Sequence, residues 1–179
     1  MAKVSGAGAM SIQPGSGRLM EGKRGLIMGL ANDKSIAWGI ARNLADHGAS
    51  LAFSYQGEAL KKRVEPLAAS VGSSIMHECD VGNEASMDGL FDRLRAEWGS
   101  LDFAVHAIAF SDKNELRGRY VDTSRENFRV SMDVSVYSFT AMCRRAAAMM
   151  PAGGSLLTLT YYGSEKVMPH YNVQGLAKA

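Results

Sequence analysis

Gly25-Leu26-Ile27-Met28-Gly29, then Leu30-Ala31-Asn32-Asp33-Lys34-Ser35, then Ile36-Ala37-Trp38-Gly39, is the stretch that decides the architecture. A short apolar run enters a glycine, leaves through polar residues and resumes in a helical period, which spells strand, turn and helix. Gly29 permits a tight exit from the strand. Ser35 suits a helix N-cap that can also face a phosphate, and Gly39 is expected to let helix and sheet approach closely. Ile36, Ile40 and Leu44 make one apolar stripe, closed by Gly48.

The alternation continues outward from this unit. Ser50–Tyr55, Ser74–Cys79, Leu101–Ile108 and Ser155–Thr160 read as four more strands. Met87, Leu90, Phe91, Leu94 and Trp98 form a second helical stripe, ended by Gly99. Thr123-Ser124-Arg125-Glu126 spells a capping box, in which Thr123 and Glu126 satisfy each other's backbone donors, opening a helix toward Met150. Pro66 predicts a kink or an early end in the helix after the second strand. Repeated strand–helix–strand units require right-handed crossovers, so the expected fold is α/β, a doubly wound parallel sheet. Residues 1–22, with Gly6, Gly8, Pro14, Gly15 and Gly17, read as a flexible arm before a domain over 23–179.

Composition narrows the function. Of 179 residues 46% are hydrophobic and 21% charged, which suits one domain with a core rather than disorder. A net charge of +2 offers no broad footprint for nucleic acid or an anionic membrane. No apolar run approaches the roughly 18 residues of a membrane span. Cys79 and Cys143 have neither zinc-ligand spacing nor a disulfide framework, so a metal is not expected and the cytoplasm is the expected compartment.

A ligand of such a sheet sits beyond the carboxyl ends of its strands. The turn after Gly29 is not a G-x-G-x-x-G fingerprint, and by itself it reads equally as a plain turn. It is no P-loop either, because Asp33 stands where a Walker pattern needs a glycine before Lys34. After the second strand, neutral Gln56 takes the place of an acidic ribose anchor, and no arginine follows it; NADH is therefore expected over NADPH, with Lys61 and Lys62 nearby. Asp80, beside Val81, reads as a partner for an adenine edge or as a helix cap near Asn83. Tyr171 and Lys178 lie seven positions apart, about 20° around a helix and about 10 Å along it. A phenol there can donate to an oxygen gaining charge, and a lysine can hold a ribose and favour the phenolate. Tyr161 adds a second phenol just after the fifth strand. His77-Glu78-Cys79-Asp80 alternates across a strand and is a poor metal set; His106 reads as a hydrogen-bonded core histidine, and Met142, Met149 and Met150 as core or subunit contact.

Taken together, Gly29 to Gly39, Asp80-Val81, His106-Ala-Ile108-Ala-Phe110, and Tyr161 with Tyr171-(six residues)-Lys178 resemble the bacterial NADH-dependent enoyl-acyl-carrier-protein reductases, divergent short-chain dehydrogenases/reductases. The resemblance covers about residues 20–179. It implies that Gly29, Ser35, Ile36, Gln56, Asp80, Val81 and Ile108 line NADH and that Lys178 holds the nicotinamide ribose. Tyr171 would meet the thioester carbonyl, Tyr161 would sit beside the acyl chain, and Ser111 would contact substrate. The implied reaction reduces the trans-2 double bond of an enoyl thioester on acyl carrier protein, in fatty acid biosynthesis, by a homotetramer. Two departures are Ala109, where the family has glycine, and Gln174, where it has an apolar residue, usually methionine. The family also continues past the position of Ala179 with further strands, helices and a substrate-covering segment. A non-catalytic dinucleotide-binding fragment, or a short-chain reductase acting on a carbonyl, is the alternative.

Overall fold

Five strands lie in the order β3-β2-β1-β4-β5, every pairing parallel, in a computed structural model that describes residues 18–179. They are β1 (Arg24–Met28), β2 (Ser50–Tyr55), β3 (Ile75–Glu78), β4 (Phe103–His106) and β5 (Ser155–Thr158). The helices are α1 (Ile36–Asp46), α2 (Gly57–Ser70), α3 (Glu84–Trp98), α4 (Arg125–Met132), α5 (Ser138–Ala147) and α6 (Asn172–Lys178). A doubly wound parallel sheet is what the alternation predicts. Three strands end short of their expected runs, β3 at Glu78, β4 at His106 and β5 at Thr158.

β1 and β4 are the centre, buried almost throughout, whereas β5 is largely exposed. Side chains alternate between two cores. Leu26, Met28 and Ala104 meet Met87, Leu90, Phe91 and Leu94 of α3 and Met142 and Ala146 of α5, with Met149 and Met150 beyond. Ile27, Phe53 and Val105 meet Ala37, Trp38 and Ala41 of α1 and Val64 and Ala68 of α2. Each fully buried large side chain contributes about 1.5–3 kcal/mol. Arg145 ties α5 to α3 through Glu84 (2.6 Å) and Asp88 (2.7 Å).

Several local expectations are corrected. α1 buries Ala37, Trp38 and Ala41, while Ile36, its first residue, is 68% exposed. The close approach expected at Gly39 falls to Ala37 and Ala41; a Cβ on Gly39 would touch nothing. α2 runs on through Pro66 to Ser70 rather than ending there. The capping box does not form. Ser124 is the N-cap, accepting from the Asn127 N–H (3.1 Å); Thr123 Oγ1 donates to the Tyr120 carbonyl (2.7 Å), and Glu126 pairs with Arg129 (2.6 Å). From α4 the helix passes through one π turn (Asp133–Tyr137) into α5. The glycines and proline assigned to the arm lie outside the described residues, but packing begins before Lys23: the Met20 N–H donates to the His47 carbonyl (2.9 Å) and its side chain lies against the α1 core.

Candidate active site

Order reverses between β1 and β4, and there the turns after both strands diverge to leave a crevice. Gly29 sits at its base with φ +93; a Cβ there would stand 2.1 Å from the Ala107 carbonyl oxygen. Only glycine lets the two strand exits come that close. The cleft above is about 480 Å3. It gathers residues from four strand ends: Gly29, Leu30 and Ala31; Tyr55 and Gln56; Cys79, Asp80 and Val81; and Ala107 to Phe110.

Of the cofactor residues expected from sequence, Gly29, Gln56, Asp80, Val81 and Ile108 line this one cleft. Ser35 and Ile36 stand outside its walls, at the start of α1. Ser35 caps that helix, accepting from the Trp38 N–H (3.3 Å) while donating to the Asn32 carbonyl (2.7 Å). Gln56 precedes α2 with its side chain making no cap bond. Lys61, close by, is paired with Glu58 (3.3 Å), whose hydrogen bond and charge raise its pKa. Asp80 is not the helix cap; Asn83 is, accepting from Ser86 N–H (3.1 Å). The Asp80 carboxylate instead accepts from Gly82 N–H (2.9 Å) and remains exposed at the cleft.

The tyrosines form a second group. Tyr161 and Tyr171 meet edge to face, ring centroids 5.0 Å apart. A Cβ on Gly163 would stand 2.6 Å from the Tyr171 ring, so that glycine makes room for the pair. Tyr171 precedes α6 as its N-cap rather than lying within it, between His170 (φ 58) and Asn172 (φ 30). Asn172 Nδ2 spans to the carbonyls of Glu115 and Arg117 (both 3.1 Å). Burial, then Tyr161, raises the Tyr171 pKa, against the expected pull of Lys178 toward phenolate. The reason is positional: Lys178 Nζ turns to donate to the Leu159 carbonyl (2.9 Å), and burial lowers its own pKa. Neither Tyr171 nor Lys178 lines the cleft of Gly29.

Ser111 belongs to a polar seam on α4. Ser131 Oγ donates to Ser111 Oγ (2.8 Å), which donates to Asn127 Oδ1 (3.2 Å), and Asp112 N–H joins the same oxygen (2.9 Å). Further along, His106 is wholly buried, as its place in an apolar strand predicts. Its Nε2 is 2.7 Å from Ser138 Oγ, which donates to the Val134 carbonyl (2.7 Å), and its Nδ1 is 3.3 Å from Thr158 Oγ1. Burial, then the Lys178 charge, pushes its pKa down to about 4. Sequence reading missed Val130 and Val134, which wall the cleft from α4 and the π turn. Their only signal is an apolar pair one turn apart, indistinguishable from core. Among the described residues no group of three or more His, Cys, Asp or Glu is placed to hold a metal, and no helix is long and apolar enough to cross a membrane.

A family model described as Enoyl-(Acyl carrier protein) reductase matches residues 29–179. Enoyl-[acyl-carrier-protein] reductase [NADH] 1 of Rhizobium meliloti is 63% identical over 161 residues, which are 90% of this chain and 59% of the relative. The crystal structure of FabI from Candidatus Liberibacter asiaticus superposes with a TM-score of 0.87 at 59% identity, over 88% of this chain and 61% of that one. The enzyme of Anaplasma phagocytophilum, in complex with NAD, superposes with a TM-score of 0.88 at 59% identity, over 90% and 62%. The chain thus spans about three fifths of the length of these relatives.

Proposed function

The chain belongs to the enoyl-(acyl carrier protein) reductase family, and from that premise we propose that it carries the NADH site and the tyrosine–lysine group of an enzyme reducing enoyl thioesters on acyl carrier protein. The observation that carries the reading is the cleft at the β1/β4 reversal, where Gly29, Gln56, Asp80, Val81 and Ile108 meet. A dinucleotide suits it: Gly29 leaves the crevice floor bare of side chain, Ser35 opens α1 with N–H groups toward a pyrophosphate, and Gln56 offers a neutral partner to the adenosine ribose.

When bound, NADH supplies hydride to the β-carbon of the enoyl thioester. Tyr171 donates a hydrogen bond to the thioester oxygen as that oxygen gains charge, and its raised pKa keeps the phenol protonated for the task. Lys178 spends one of its three N–H donors on Leu159 and keeps two for ribose hydroxyls. Tyr161 orients the Tyr171 ring, and Ser111 meets the substrate from the turn after β4. Exposed Phe128, Val136 and Tyr137 on the outward side of α4–α5 suit burial between subunits of a homotetramer. Free Cys79 and Cys143 suit the cytoplasm.

The test is fluorescence titration of the full-length protein with NADH and NADPH, then NADH oxidation with a crotonyl thioester. Tighter NADH binding with steady oxidation is expected. Binding without oxidation would favour a non-catalytic dinucleotide module, and reduction of a carbonyl substrate instead would favour another short-chain reductase.

A further inference from the structure

Gln174 is buried to 5% exposure on α6, one turn past Tyr171. Its Oε1 has no partner among the described residues, and an unpaired buried amide oxygen costs stability. Nε2 has a partner: it donates to Ser135 Oγ (3.2 Å). Ser135 lies within the π turn of the long helix, and single π turns cluster at functional sites because they re-aim one residue. Its hydroxyl accepts from the Phe110 N–H (3.0 Å) and donates to the Phe110 carbonyl (3.1 Å), holding both polar atoms of one residue. With Gln174 added, the hydroxyl has its one donor and both acceptor sites filled. Phe110 in turn ends the Ala107–Phe110 wall of the cleft.

We infer that Gln174 is a positioning residue: through Ser135 it fixes the Phe110 peptide, and so the cleft wall after β4, to the helix that follows Tyr171 and bears Lys178. The inference rests on the functional reading above, in which that wall lines the NADH cleft and Tyr171 and Lys178 serve the reacting end. The link gives the two halves of the site, which come from separate elements, a fixed mutual register. Orientation of this kind acts on the reacting geometry more than on contact area.

Two variants of the full-length protein test it: Gln174→Met, which keeps the volume, and Ser135→Ala, which removes one hydroxyl and serves if the first does not fold. Hydrogen exchange of the segment around Phe110 is expected to rise about tenfold in Ser135→Ala and several-fold in Gln174→Met, with β1 unchanged. kcat for crotonyl thioester reduction is expected to fall about fivefold or more, with the NADH dissociation constant within about twofold. The double variant is expected to be no slower than Ser135→Ala alone, because Gln174 acts through that hydroxyl. Unchanged exchange near Phe110 would overturn the inference, as would increased exchange with unchanged kcat, the mark of a merely structural bond. Should the wild type bind NADH yet reduce no enoyl thioester, the functional reading falls and the exchange data alone decide the link.

Discussion

At the scale of single residues, chemistry follows from which neighbour each polar atom finds. The proposed function gives Tyr171 and Lys178 different tasks, so their losses are expected to differ in kind. If Tyr171 donates to the developing oxyanion as proposed, Tyr171→Phe is expected to lower kcat on the order of a hundredfold, with NADH affinity nearly intact. If Lys178 clamps the ribose as proposed, Lys178→Ala is expected to weaken NADH binding about tenfold, a usual loss for a charged hydrogen bond. Titration and steady-state kinetics on both variants check this; an unchanged dissociation constant in Lys178→Ala refutes the clamp. His106 makes a separate pH test. Its folded pKa, about 4, lies below the ordinary 6.5, so the unfolded chain takes up the proton first. Stability is therefore complete above 6.5 and is lost as pH falls toward 4, by at most about 1.4 kcal/mol per pH unit. Urea unfolding across that window should show the slope, and His106→Asn should flatten it.

Among the elements, the long helix shows how a local signal is spent. Thr123, Ser124 and Glu126 all fit a helix start, but only one residue can be the cap. Glu115 decides in favour of Ser124, its carboxylate accepting from both the Ser124 N–H and hydroxyl (2.8 Å each). Ser124→Ala is expected to cost about 1 kcal/mol, whereas Thr123→Ala should stay within about 0.5 kcal/mol. Denaturation midpoints of the two variants measure the difference, and equal losses would restore the capping box. α6 behaves otherwise: the bonds of Asn172 to the Glu115 and Arg117 carbonyls hold positive φ just after Tyr171, so the helix starts one residue late.

Across the whole molecule, the sheet is unevenly protected. β1 and β4 are paired on both sides, while β5 has a strand neighbour on one side only among the described residues, with Leu157 43% exposed. An open parallel edge with apolar side chains recruits another chain. The 179-residue polypeptide made alone is expected to self-associate with concentration and to show at most trace reduction of a crotonyl thioester. Sedimentation velocity with turnover, on material of verified mass, checks both; a monomer with turnover equal to the full-length protein refutes the expectation.

Sequence by itself determined the five strands, the parallel doubly wound class and the glycine at the crevice. Those rest on short-range physics: period, glycine backbone freedom and the handedness of crossovers are all written locally. The gathering of Gly29, Gln56, Asp80 and Val81 was legible as well, because strand ends of a parallel sheet must share one edge; Ile108 entered through the family resemblance. Only the tertiary structure decided which side of α1 is buried, since Ile36 and Ala37 are both apolar, yet one is exposed and the other buried. It alone placed Val130 and Val134 at the cleft, took Tyr171 out of its helix, and turned Gln174 onto Ser135. Each of these depends on a contact between residues tens of positions apart, where spacing along the chain carries no information about distance in space.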